Sequence, residues 1–253
     1  MGERMPPGIA AHRGAAVHQG AESNWIQKMQ TGEDLPASVL AEIMASAFDE
    51  RCQEGFHMGP EETVRGAEAV AAEEKDQLPA YARSFRAWAA RIVPKMVERE
   101  SKYPIVINGK DGIERHVRLN GRLDLIADVL KIPGMPGGGE NVLQDQKTST
   151  KKKGQNLVDS DDQLTWYGIL CMAEGWLPGP IENIDMAMTT ITPKGTEEIF
   201  TNRKQGNVRA LLNRIALVIR GIESGCLPPA TRDSWICSAR FCGWFGRGCP
   251  YVP

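Results

Sequence analysis

The sequence predicts a mixed α/β (α+β) protein, a central sheet flanked by helices, and three observations carry that expectation. Apolar residues before position 100 recur at helical spacing, short β-type runs begin at Tyr103, and a long amphipathic helical pattern returns near Val208. The expected organisation is a single domain over 1–253. Within it, 12–100 is mainly helical, 101–200 carries the sheet core, and 205–253 holds a helix followed by a cysteine-rich tail.

Leu40, Ile43, Met44, Ala47 and Phe48 repeat with helical spacing, as do Tyr81, Phe85, Trp88, Ile92 and Met96, where Pro94 is expected to kink or end the helix. Between them, GPEETVRGAEAVAAEEKDQ predicts a charged, exposed helix. YPIVI, the turn signal NGKDG and the longer run VRLNGRLDLIADVL predict β-type runs on either side of a turn. The loop KIPGMPGGGE then leads into a strand at NVLQDQK, which places Asp124 and Asp145 on neighbouring strands, with Asp128 at a turn. A helix is expected from about Ser160 through QLTWYGILCMAEG, with Asp161 and Asp162 in its first turn and Gln163 and Tyr167 on one face. Strands at NIDMAMTTI and TEEIFTN precede the amphipathic helix of Val208, Leu211, Leu212, Ile215, Val218, Ile219 and Ile222.

With 42% hydrophobic and 25% charged residues, the chain has the composition of a soluble globular protein. No apolar run approaches a membrane span, and MGERMPPG has no signal-peptide core and carries Pro6 where a myristoylation signal needs Ser or Thr. The expected address is the cytoplasm, the host's if the chain is phage-encoded. A net charge of -2 and a pI near 6.1 exclude wholesale coating of a polyanion. Contact with nucleic acid would need a local basic patch, for which Lys151, Lys152 and Lys153 are the candidate, with a solvated loop as the alternative. Cys52 and Cys171 lie in helix-like segments and read as small buried hydrophobes. Cys226, Cys237, Cys242 and Cys249 crowd the last part of the chain, and in a reducing compartment that clustering points to a metal rather than to disulfides.

The stretch NVLQDQKTS delivers Asp145 and Lys147 on one face of a strand, with Gln146 pointing away. Alone, this is better explained by a structural ion pair. Its meaning changes beside GAAVH, GRLDLI and QLTWY, because the four pieces in order resemble the motif series of the PD-(D/E)XK nuclease superfamily and specifically its RecB-like exonuclease branch, which includes phage and CRISPR-associated enzymes. The matching residues are Gly14 and His18, Gly121 and Asp124, Asp145 and Lys147, and Gln163 and Tyr167. The resemblance implies a restriction-endonuclease-like core with a central mixed sheet.

It also implies a metal-dependent DNA nuclease, an exonuclease leaving 5′-phosphates, acting in phage recombination or DNA processing. Asp124 and Asp145 would hold Mg²⁺ or Mn²⁺ together with the Gln146 carbonyl and His18, whose nitrogen suits Mn²⁺. Lys147 would orient water or stabilise developing charge. Gln163 and Tyr167 would line a DNA cleft, and Lys151, Lys152 and Lys153 would steer phosphates. Glu22, one turn after His18, is left open between a supporting partner and a surface acid. DNA is the expected partner, with a recombination or CRISPR-adaptation protein beside it and no membrane. Members of the branch carry an iron-sulfur cluster on three C-terminal cysteines and one that precedes the His motif. No cysteine precedes His18 here, so either Cys226 completes a [4Fe-4S] set with Cys237, Cys242 and Cys249, or a cysteine lies upstream, or the cluster is absent or replaced by zinc. The rival class is a catalytically silent DNA-binding or recombination-partner subunit with the same fold; a zinc-ribbon-like interaction module would leave the ordered motifs unexplained.

Overall fold

The structure, a computed structural model, describes residues 7–108, 112–131 and 137–225. Five helices come first: α1 (Ile9–Thr31), α2 (Ala37–Gln53), α3 (Pro60–Arg65), α4 (Ala67–Asp76) and α5 (Leu78–Ala89). Then come β1 (Ile92–Asn108), β2 (Glu114–Val129), β3 (Gly139–Thr148), α6 (Gln155–Asp159), α7 (Asp162–Ala173), β4 (Met186–Thr192), β5 (Gly195–Thr201) and α8 (Gln205–Glu223). The strands form one mixed sheet in the order β1-β2-β3-β4-β5, antiparallel throughout except for the parallel β3–β4 pair. That pair needs a crossover, and α6 and α7 supply it. No described helix is long and apolar enough to cross a membrane.

Helices cover both faces of the sheet. On one, Val17, Trp25, Leu40, Phe48, Tyr81 and Phe85 of α1, α2 and α5 pack on Leu125, Ala127, Val142 and Ile191. On the other, Leu164, Leu170 and Cys171 of α7 pack on Leu119, Leu123, Leu143 and Met188. α1 is anchored by Trp25, which lies edge-on to Phe85 and Trp88 at ring separations of 5.0 and 5.6 Å. Gly20 lets α2 approach it, since a methyl group there would overlap Met44.

Two expected elements differ. The helix through Tyr81, Phe85 and Trp88 stops at Ala89, and Ile92, Pro94 and Met96 open β1 instead. Pro94 has no N–H for a helix and sits next to a register shift between Pro94 and Met96, where a strand tolerates it. The helix expected over GPEETVRGAEAVAAEEKDQ is two, broken at Gly66, which adopts φ 83° between α3 and α4. Asp128 lies in β2 rather than at a turn; its carboxylate accepts from the Asn141 N–H at 2.8 Å and pairs with Lys95 at 2.6 Å.

The feature that positions the site is a fork in the sheet. β1 and β2 stay paired from Ile92↔Val129 out to Asn108↔Glu114, whereas β2 and β3 pair only from Val129↔Gly139 to Leu125↔Gln144. Beyond that point β3 runs on beside β4 to Thr148↔Ile191 while the β1–β2 ribbon departs. The ribbon also turns over there. Leu123 packs on the α7 side and Leu125 on the α1 side, although residues two apart on a regular strand share a face. Directly across from Asp124, Glu98 of β1 takes up φ 47°, a conformation a non-glycine side chain rarely adopts and one that accounts for the reversal.

α7 lies against the departing ribbon at Gly121, where a methyl group would come within 2.6 Å of Leu170 Cδ1 and 3.4 Å of Tyr167 Cε1. Gly121→Ala is therefore expected to push α7 off the ribbon, destabilise the protein by about 1–3 kcal/mol and depress any activity that needs Gln163 and Tyr167. Chemical denaturation of the two proteins checks this. A variant as stable as the parent would mean that Leu170 yields freely.

Candidate active site

α1, β1, β2, β3 and α7 each deliver a polar side chain to the mouth of the fork. Where the β2–β3 ladder stops, the Asp124 carboxylate takes over from backbone: its Oδ2 accepts the Gln146 N–H at 2.7 Å. Asp145 is wholly buried, and its Oδ1 accepts from Lys147 Nζ at 2.9 Å. Lys147 also donates to Gln163 Oε1 at 2.7 Å, and Gln163 Nε2 donates to the Tyr167 hydroxyl at 2.6 Å. The motif residues Asp145, Lys147, Gln163 and Tyr167 thus form one hydrogen-bonded chain from β3 to α7.

The start of α7 is fixed from two sides. Asp161 caps it, its Oδ1 accepting from the Gln163 and Leu164 N–H groups at 2.8 and 3.2 Å. Buried Arg203 holds the preceding turn by donating to the Val158 and Asp161 carbonyls and to Thr165 Oγ1. Gln163 consequently has little freedom to swing away from Lys147.

His18 of α1 reaches the same point. Its ring hydrogen-bonds the Gln146 backbone, and burial, reinforced by the Lys147 ammonium, lowers its pKa and so favours the neutral imidazole. Gly14, one turn earlier, faces Thr148 at ordinary contact distance, so an alanine would fit there; the glycine of that motif is not forced as Gly121 is.

The sequence reading missed Glu98. One ligating atom each from His18, Glu98 and Asp124 lies within 4.8 Å of the others. Glu98 contacts Arg122, which also meets Glu22 at 3.4 Å, so Glu22 supports the arrangement through Arg122 rather than lying idle on the surface. A signal for Glu98 was present. Counting back along the hairpin from Asn108↔Glu114 brings it opposite Asp124, but only once the 92–100 stretch is read as strand rather than helix.

Electrostatics set these acids apart. Burial pushes Glu98 up to about 7, with Asp124 adding repulsion. Burial likewise pushes Asp145 up to about 6, against the pull of Lys147, and raises Asp124. Asp145 Oδ2 and Gln146 Nε2 are enclosed without a hydrogen-bond partner among the described residues. A neutral imidazole nitrogen, three crowded carboxylates and an unsatisfied carboxylate oxygen make a donor set that fits a hard divalent cation, which would offset their desolvation and repulsion.

The remaining expected residues lie further out. Lys151, Lys152 and Lys153 follow β3 in the loop before α6; Lys151 and Lys152 are exposed, and Lys152 pairs with Glu197 at 3.4 Å. Cys171 is buried and Cys52 half-buried, both on helices. Cys226, Cys237, Cys242 and Cys249 lie outside the described residues.

The model of the PD-(D/E)XK nuclease superfamily matches residues 2–253. The chain belongs to that superfamily. No curated protein matches it. Among solved structures, one titled "Crystal structure of SSO0001" is 16% identical, with a TM-score of 0.35, covering 99% of this chain and 88% of that one. Membership in the nuclease superfamily gives the fork its meaning. A mixed five-stranded sheet between helices carries acids at a strand divergence, and the superfamily's work is on nucleic acid.

Because burial raises the Glu98 pKa, the metal-free folded state binds a proton that the unfolded chain releases between about pH 4.5 and 7. The associated stability is full below about 4.5 and is lost as the pH rises through about 7. In EDTA, Glu98→Gln should remove on the order of 1–3 kcal/mol of this decline between pH 5 and 8. Urea titrations at both pH values measure it, and an unaltered pH slope would show that Glu98 is not desolvated.

Proposed function

We propose that the protein is a metal-dependent DNA nuclease of the RecB-like branch, an exonuclease that hydrolyses phosphodiester bonds to leave 5′-phosphates in phage recombination or DNA processing. The observation that carries this reading is the convergence of His18, Glu98, Asp124, Asp145 and Lys147 from four elements on one point at the fork. Asp124, Asp145, His18 and the Gln146 carbonyl are the expected metal ligands, and Glu98 is added to them. A bound Mg²⁺ or Mn²⁺ supplies positive charge against the phosphate oxygens and acidifies water near it.

The protein's own groups do the rest. Lys147, held between Asp145 and Gln163 with its side chain partly open to solvent, would offer its positive charge and remaining N–H to the attacking water or the developing phosphate charge. Gln163 sets that donor's direction, and Tyr167, 8% exposed, fixes Gln163 in turn. Gln163 and Tyr167 accordingly act on Lys147 before they act on DNA. Lys151, Lys152 and Lys153 remain candidates for steering phosphates. The four tail cysteines remain the proposed ligands of a [4Fe-4S] cluster, or of zinc, and a recombination or CRISPR-adaptation protein remains the proposed partner.

A silent DNA-binding subunit would retain the fold without turnover, and end-labelled DNA with Mg²⁺, Mn²⁺ or EDTA separates the two. Metal-dependent release of 5′-phosphorylated products is expected; metal-independent binding without cleavage would establish the silent subunit. Lys147→Ala should lower kcat by about 10²–10⁴ while DNA affinity persists. Cleavage within a few-fold of the parent removes Lys147 from the mechanism. Asp124→Asn should weaken Mn²⁺ binding at least about ten-fold by calorimetry, since a carboxylate ligand is replaced by a neutral amide. Anaerobically purified protein should be brown and bleach in Cys237→Ser; colourless protein containing zinc would replace the cluster with zinc.

A further inference from the structure

The β1–β2 ribbon continues well past the fork, and its two faces differ. Toward α7 and α8, Ser101, Ile107, Arg115 and Leu119 are buried; Ser101 donates to Glu174 at 2.7 Å and Arg115 to Glu223 at 3.1 Å. The opposite face carries the cross-strand pairs Glu100↔Arg122, Lys102↔Asn120, Pro104↔Arg118 and Val106↔His116, and all eight residues are exposed. Arg122, on this face, pairs with Glu98 and reaches Glu22, so the face that begins at the candidate active site runs on outside it. Successive residues on it advance about 7 Å, and Arg118 lies about 20 Å along the strand from Asp124.

We infer that this face is a track for the sugar–phosphate backbone of the single nucleic-acid strand that enters or leaves the active site. The inference rests on the nuclease reading of that site and adds where its substrate runs. Three features support it. Arg122, Lys102 and Arg118 form a line of cations, and Lys102 and Arg118 make no ion pair among the described residues. The acids near this line stand at its ends, Glu98, Glu22 and Glu100 around Arg122 and Glu114 at the far end, so they leave Lys102 and Arg118 in the middle positive. The ribbon is two strands wide, about 5 Å between strand axes, which suits one backbone and is far narrower than a duplex. Pro104 and Val106 offer small apolar surfaces beside the cations, where sugars and bases can rest.

The test uses the full-length protein and the double variants K102A/R118A and K102E/R118E. Both side chains are exposed, so the fold and the metal site should be untouched, as unchanged thermal unfolding and unchanged metal-dependent hydrolysis of a dinucleotide would verify. Binding of a long, labelled single-stranded oligonucleotide in EDTA is followed by fluorescence anisotropy over a range of salt. K102A/R118A should bind about ten-fold more weakly at low salt, and the slope of log K against log salt should flatten by about 1.4, two contacts at about 0.7 each. K102E/R118E should bind more weakly still, and KM for the long strand should rise while dinucleotide turnover holds. Parent-like affinity and salt slope in both variants would overturn the track, as would blunt duplex competing for the parent as well as single strand does. If the parent cleaves neither substrate, the active-site reading falls, and the anisotropy still decides the track by itself.

Discussion

Everything at the candidate site depends on the backbone ladder between β2 and β3 stopping at Leu125↔Gln144. Antiparallel strands that remained paired would bury the acids in ladder geometry, with every N–H and C=O consumed. Here the strands part, and the Gln146 N–H goes to the Asp124 carboxylate at 2.7 Å. One hydrogen bond thereby satisfies a backbone donor that the fork would orphan, and it holds a carboxylate against the strand bearing Asp145 and Lys147. The opening also makes room for α1 from one side and α7 from the other. It is at this opening that His18 and Glu98 come together with Asp124, and Gln163 with Lys147.

Keeping the fork open requires strain and small residues. Glu98 sits at φ 47° so that the ribbon can turn over, and Gly121 has no side chain so that α7 can lie on it. The first is an unfavourable backbone conformation at a carboxylate that is itself held among other acids. The second is a steric vacancy filled by Leu170. Strain and crowded charge coincide in one place, and both are supported by large apolar clusters on either side of the sheet. A core of this size can hold such a residue where an isolated hairpin could not.

The charges form an ordered series rather than a heap. Lys147 neutralises part of the field of Asp145 and is steered by Gln163; Arg122 does the same for Glu98 and ties it to Glu22 on α1. Yet burial still raises Glu98, Asp124 and Asp145 above their ordinary range, because two cations at the rim do not offset the cost of desolvating three acids. A surplus of buried negative charge at a strand divergence, beside a neutral imidazole, is what a divalent cation relieves. On this reading the same groups that make the metal-free fold less stable at neutral pH make it a strong ligand.

The sequence by itself determined the parts whose signals are local. Residue alternation placed Asp145 and Lys147 on one face, the turn chemistry at NGKDG separated two β-type runs, Asp161 and Asp162 marked the first turn of α7 to within two residues, and helical spacing paired Gln163 with Tyr167. These follow from periods of 2 and 3.6 and from turn and helix-end chemistry, which neighbours in the chain are enough to set. Only the tertiary structure decided that Ile92–Met96 is strand, that Glu98 joins His18 and Asp124, and that Gln163 addresses Lys147 directly. Those outcomes hang on where one ladder ends and where a ribbon turns over. Each is settled by pairing between residues tens of positions apart, and no local period encodes it.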